Sequence, residues 1–164
     1  MSLCVGLFGT CGGSTWRDEF MKKYDKLGVK YFNPQVDDWT PECAEEEANH
    51  LAEDAVILFP ITSETYGMGS LAETGFSVLQ AISLNNRRDF VVMIDRDLDP
   101  SLDDEITRKE SIRARALVSK HLEKLGMANV YIVQSLDDML ELSLELYTIA
   151  RLRQNTERFR AQPK

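Results

Sequence analysis

The sequence predicts a doubly wound α/β domain with a parallel sheet, and three observations carry that prediction. Five short apolar runs alternate with five amphipathic stretches. The first and third runs each lead into a glycine-rich loop that opens a helix. No internal repeat or low-complexity linker breaks the alternation along the 164 residues, so a single domain is expected. Parallel neighbours require crossover helices of one hand, and the sheet is then covered on both faces.

Leu3 to Phe8 is almost wholly apolar, the pattern of a central strand buried on both faces. Gly9-Thr10-Cys11-Gly12-Gly13-Ser14 follows. Thr15 and Asp18 then have capping-box spacing, and Trp16, Phe20, Tyr24 and Leu27 share a helical face until Gly28 stops the helix. Val29 to Asn33 reads as a second strand closed by Pro34. Thr40-Pro41 is an N-cap with proline at the first helical position, where its missing N–H costs nothing. That helix, to about Glu53, is expected to bury Ala44, Ala48, Leu51 and Ala52.

Ala55 to Phe59 is the third strand, and Ser70 to Leu84 the third helix, with Leu71, Phe76, Val78, Leu79 and Ile82 on its apolar side. Phe90 to Ile94 is the fourth strand. The acidic stretch from Asp95 to Asp104 reads as a solvated loop, because no glycine or spaced glutamate completes a calcium-binding loop. Thr107 with Glu110 opens a helix that Gly126 ends, Val130 to Val133 is the fifth strand, and Ser135 with Asp138 opens a final long helix. The flavodoxin-like strand order 2-1-3-4-5 suits this pattern. It sets the loops after strands 1 and 3 side by side at the topological switch point.

Composition narrows the function. A net charge of −8 argues against a nucleic acid polymer as partner, since phosphate backbones select basic faces. No run approaches the roughly 20 apolar residues of a membrane span, and Met1 to Phe8 lacks a signal-peptide pattern, so a soluble, cytoplasmic protein with no membrane partner is expected. Cys4, Cys11 and Cys43 are odd in number and lack CxxC spacing, which suggests neither a disulfide framework nor a zinc site; no metal or cofactor is expected. His50 and His121 read as surface helix residues, and Cys11 as a small buried filler rather than a reactive thiol. Arg151, Arg153, Arg158, Arg160 and Lys164 read as a solvated helix end or as a docking patch. Leu140, Leu144, Tyr147 and Ile149 suggest a surface that packs on another copy, giving a homo-oligomer.

The chemistry concentrates in Thr65-Tyr66-Gly67-Met68-Gly69-Ser70-Leu71-Ala72-Glu73-Thr74-Gly75. Two glycine loops feeding helix N-termini suit a phosphate, a carboxylate or a polar sugar. Neither is a Walker A sequence or a GxGxxG fingerprint. Glu73 reads in two ways: as the last member of a Ser70-to-Glu73 capping box, or as a carboxylate at a crevice floor that attacks an electrophilic carbon such as a sugar C1′. Glu47 likewise is either one of the solvated run Glu45-Glu46-Glu47 or the second acid of a catalytic pair.

Four pieces together resemble the nucleoside 2-deoxyribosyltransferase superfamily, in its deoxyribosyltransferase-like and deoxynucleotide N-glycosidase branch. They are the first glycine loop running into Ser14-Thr15-Trp16-Arg17, Asn33-Pro34 with Asp38-Trp39, Glu47-x-x-x-Leu51, and Gly69-x-x-x-Glu73-x-Gly75. The resemblance covers roughly the first half of the chain. It implies cleavage or transfer of the N-glycosidic bond of a 2′-deoxynucleoside or deoxynucleotide, with Glu73 as nucleophile and Glu47 as the acid assisting departure of the base. Gly9, Thr10, Gly12, Gly13, Ser14 and Ser70 would line the sugar or its 5′ group, and Trp16, Asn33 and Trp39 the base side. Tyr66, Met68 and Gly69 belong to the same expected substrate surface. A non-catalytic nucleotide-sensing module and an NAD-cleaving domain are the alternatives.

Overall fold

The computed structural model describes residues 1–38, 40–83 and 88–160. Trp39 and Leu84, the side chains of Phe76, Leu79 and Ile82, and Lys164 lie outside what is described. Among the described residues the elements are β1 (Ser2–Leu7), α1 (Trp16–Leu27), β2 (Tyr31–Phe32), α2 (Pro41–Glu53), β3 (Asp54–Ile61), α3 (Met68–Ser83), β4 (Asp89–Ile94), α4 (Glu105–Leu125), β5 (Val130–Ile132) and α5 (Leu136–Glu157). The five strands form one all-parallel sheet in the order β2-β1-β3-β4-β5, the expected flavodoxin-like topology.

Side-chain alternation along the strands divides the core into two layers. Leu58, Val91 and Met93 face α1 and α5, meeting Trp16, Phe20, Tyr24, Met139 and Leu146. Ile57, Phe59, Phe90 and Val92 face the other way, onto Leu51 of α2, Val78 of α3 and Leu122 of α4. Each large apolar side chain so buried contributes roughly 1.5–3 kcal/mol. The Tyr24 hydroxyl meets Ser143 Oγ at 2.5 Å, joining α1 to α5 with a polar contact inside the first layer.

Several details correct the sequence reading. Thr15 begins α1 without a side-chain cap, so its capping box with Asp18 is not formed, and Leu27 is exposed beside the left-handed Gly28. The second strand shrinks to two residues. α4 starts three residues early because Asp104, not Thr107, is its cap; the Asp104 carboxylate accepts from Thr107 N at 2.6 Å. The acidic loop before it is tethered rather than freely solvated, with Arg108 donating to the carbonyls of Leu98, Asp99 and Leu102. Ser135 caps α5 through Asp138 N as expected. On α5, Tyr147 is buried and Leu140 and Leu144 pack against the core of the same chain, so of the residues expected to await another copy Ile149 alone is exposed. Arg153 forms an ion pair with Asp89 at 3.5 Å, so the C-terminal basic run is partly tied to the sheet.

The face of α2 departs most. Ala44 and Ala48 point outward, whereas the inward stripe is Cys43, Glu47, His50 and Leu51. Of these only Leu51 is buried. A helix that turns polar groups inward has a poor apolar anchor, and those polar groups demand an explanation from chemistry.

Candidate functional site

Because β1 and β3 are neighbours, their following loops meet at the carboxyl edge of the sheet. Thr10 stitches them: its N–H donates to Pro60 O and its hydroxyl oxygen accepts from Thr62 N, both at 2.9 Å. Gly9, at φ 91°, backs so closely onto the Pro60 carbonyl that any side chain would collide with it. Gly9 and Thr10 are therefore buried framework, not surface offered to a ligand. Gly12 and Gly13, at φ 71° and 88°, are exposed with open space where a side chain would stand. Ser14 is buried, and its Oγ has no hydrogen-bond partner among the described residues. An unpaired buried hydroxyl beside exposed glycine backbone at a helix start is suited to a polar group arriving from outside.

Arg17 sits beneath this loop, 1% exposed. Its Nε donates to Leu7 O at 2.8 Å, and Nη1 to Thr10 O at 2.7 Å, which also accepts from Trp16 Nε1 at 3.0 Å. Nη2 reaches Cys11 Sγ at 3.4 Å, and Cys11 is exposed rather than the buried filler expected. Burial lowers the guanidinium pKa, opposed by Cys11 and then by the charge of Glu47. The charge of Glu47 on α2 is thus felt beneath the first loop.

The second loop hangs on Arg115 of α4. Its Nη1 donates to the carbonyls of Ile61 and Asp95 at 3.0 and 2.9 Å, its Nη2 to those of Thr62 and Thr65 at 2.9 and 2.8 Å, and its Nε to Ser111 Oγ at 3.2 Å. All five guanidinium N–H groups are used, which suits a buried cation. Gly67, at φ 65°, packs against Ile61 and Arg115, and its carbonyl accepts from Leu71 N at 2.9 Å.

That geometry starts α3 at Met68, so Ser70 and Glu73 are its third and sixth residues. Ser70 is inside the helix, and its carbonyl accepts from Thr74 Oγ1 at 2.7 Å. The Ser70-to-Glu73 capping box does not exist, and Glu73 lies past the first turn. Glu73 is exposed as a residue, yet protein crowds its carboxyl. That crowding first, and the charge of Glu47 second, raise its pKa above the ordinary glutamate range. Two carboxylates from α2 and α3 therefore feel one another at the rim of the glycine loops, a like-charge pair of the sort that separates acid from base.

The other expected contacts scatter. Tyr66 turns away, its hydroxyl accepting from Asp104 N at 3.1 Å. Met68 is 56% exposed and Gly69 has open space around it. Asn33 is engaged locally, its Oδ1 accepting from Gln35 N at 3.0 Å and its Nδ2 contacting Met21 Sδ at 3.7 Å. Trp16 is buried but lines a cavity of about 430 Å³ with Thr62, Glu64, Asp95 and the start of α5. That cavity is on the α1 and α5 side, and neither Glu47 nor Glu73 lines it. The acids mark a candidate site apart from that hollow, since the charge of Glu47 acts both on Glu73 and on Arg17 beneath the first glycine loop. Arg17 and Arg115 were the residues that spacing alone did not single out; a lone arginine amid a mixed helix carries no signal that it is buried. The chain matches no protein-family model and no curated protein.

Proposed function

We propose that the chain cleaves or transfers the N-glycosidic bond of a 2′-deoxynucleoside or deoxynucleotide, as its resemblance to the nucleoside 2-deoxyribosyltransferase superfamily implies. The observation that carries this reading is the Glu73–Glu47 coupling, with Glu73 freed of any helix-capping duty. Glu73 Oε attacks C1′, the C1′–N bond breaks, and its electron pair leaves with the base, which takes a proton from the Glu47 carboxyl. Water or a second base then attacks C1′ and releases Glu73, so configuration is retained after two displacements. The open backbone at Gly12 and Gly13 with Ser14 Oγ supplies polar contacts for the sugar or its 5′ group.

The test is incubation with a panel of deoxynucleosides and their monophosphates, followed by mass spectrometry of the intact protein. Free base and a deoxyribosyl adduct on Glu73 are expected, and Glu73→Ala should abolish both while the circular dichroism spectrum is kept. Full base release by that variant would refute the mechanism. The second reading, a nucleotide-binding module without turnover, draws on Tyr66, whose hydroxyl is committed to Asp104 N and so does not assist Glu73. It predicts ligand-induced thermal stabilisation with no base released from any member of the panel.

A further inference from the structure

At the opposite end of α2 from its proline start, three side chains of different chemistry converge. Cys4 comes from β1, His50 from the last turn of α2 and Asp54 from the first residue of β3, and their donor atoms all lie within 4.8 Å of one another. His50 Nδ1 is 3.0 Å from both Asp54 oxygens. From this geometry we propose that Cys4, His50 and Asp54 form a divalent metal site of the zinc class, which ties α2 to the sheet.

The donor set is one sulfur, one nitrogen and one oxygen, the mixture zinc selects. Tetrahedral zinc with ordinary bond lengths holds its nitrogen and oxygen ligands about 3.3 Å apart, and its sulfur and nitrogen about 3.5 Å apart. The nitrogen-to-oxygen separation here is 3.0 Å, within a few tenths of an ångström of that, and the sulfur lies within 4.8 Å of both, so an ion draws Cys4 inward by no more than about 1.3 Å. The ligands are also pre-set. The Phe32 ring stacks on the imidazole at 3.8 Å and 5°, fixing its plane. Gly6 leaves room beside Asp54, where even a methyl group would come within 3.2 Å of Oδ2. Arg88 donates to the carbonyls of Leu51 and Asp54, which braces the helix-to-strand junction from outside the donor set.

Asp54 is fully buried, and burial raises its pKa despite His50. The Cys4 thiol is pushed up to about 12, chiefly by burial and then by Asp54. A divalent ion held here would neutralise a thiolate and a carboxylate together, beside the Arg88 guanidinium whose charge also acts on Asp54. The step is balanced without redox change: the metal–sulfur bond forms as the Cys4 S–H proton leaves to solvent, and the imidazole hydrogen that Nδ1 shares with Asp54 moves to Nε2, which frees the Nδ1 lone pair for the ion. His50, the partly exposed member, gives the ion its route in, and a fourth position remains for water.

Spacing could not reveal this cluster, because Cys4 is brought to His50 only by strand pairing, and because His50 reads as a surface residue until α2 turns it inward. The test uses the full chain, stripped with chelator and titrated with Co²⁺. One equivalent should bind with a thiolate-to-cobalt charge-transfer band and release of one proton, and Zn²⁺ should displace it and raise the melting temperature. Cys4→Ser should abolish the band, while Cys11→Ser and Cys43→Ser keep it. His50→Gln, at a partly exposed position that need not unfold the chain, should weaken binding by more than the roughly 10–100-fold expected of a mere supporting contact. Absence of the band, its survival in Cys4→Ser, or unchanged affinity in His50→Gln overturns the proposal.

Discussion

At the scale of single residues, Glu73 shows how a carboxyl is changed by its surroundings and by a neighbouring charge. The Glu73 pKa is raised by crowding and by Glu47. A nucleophilic carboxylate must be ionised, so activity should fall as pH drops through its folded pKa. The acid limb of the pH–rate profile should therefore lie above the ordinary glutamate value of about 4.3. Replacing Glu47 with Gln removes the second cause and leaves the first, so the limb should move to lower pH without reaching that value. A limb that stays in place in Glu47→Gln, measured as base release against pH, would show that the two carboxylates are not coupled. Glu47→Gln should also slow base departure by roughly 100-fold or more, as loss of a positioned acid does.

Among elements, the two glycine loops separate framework from working surface. Gly12→Ala meets no neighbour and should cost only the left-handed penalty of roughly 1–2 kcal/mol. Gly9→Ala adds a collision with the Pro60 backbone and should cost clearly more, with a lower urea midpoint than Gly12→Ala. Equal midpoints would mean that β1 and β3 are not joined as described. The strands and the order of the sheet were legible in the sequence because buried parallel strands announce themselves as apolar runs between turn signals. Helix starts were less so. Ser70 and Glu73 have capping-box spacing, but the start of α3 is set by Gly67 against Arg115, 48 residues downstream, and no local pattern carries that contact. The alanines of α2 misled for a related reason: hydrophobic patterning assumes an apolar inner face, and here the inner face holds Glu47 and His50. The carboxylates of the site were readable as residues; the freedom of Glu73 from capping and the crowding of its carboxyl were not.

For the molecule as a whole, buried carboxylates set how stability responds to acid. Burial raises the pKa of Asp54 and of Asp89, in the latter case against the opposing charge of Arg153. An acid whose folded pKa exceeds its unfolded one holds more protons when folded, so stability rises as pH falls through the folded value toward the unfolded value of about 3.9. Lowering the overall charge of −8 acts in the same direction. The melting temperature should therefore increase as pH is lowered from about 7 toward about 5, before general acid unfolding begins. Asp89→Asn should flatten that rise, and a melting temperature that falls steadily over the interval would contradict it.

The polar inner face of α2 has one more consequence. With Leu51 as its one buried residue, this helix turns polar groups toward the sheet, so its amides should exchange with deuterium by local opening well before those of β3, whose eight residues are all buried. Glu47 rides on that helix. Opening of that helix should therefore move Glu47 relative to Glu73 while the sheet stays closed.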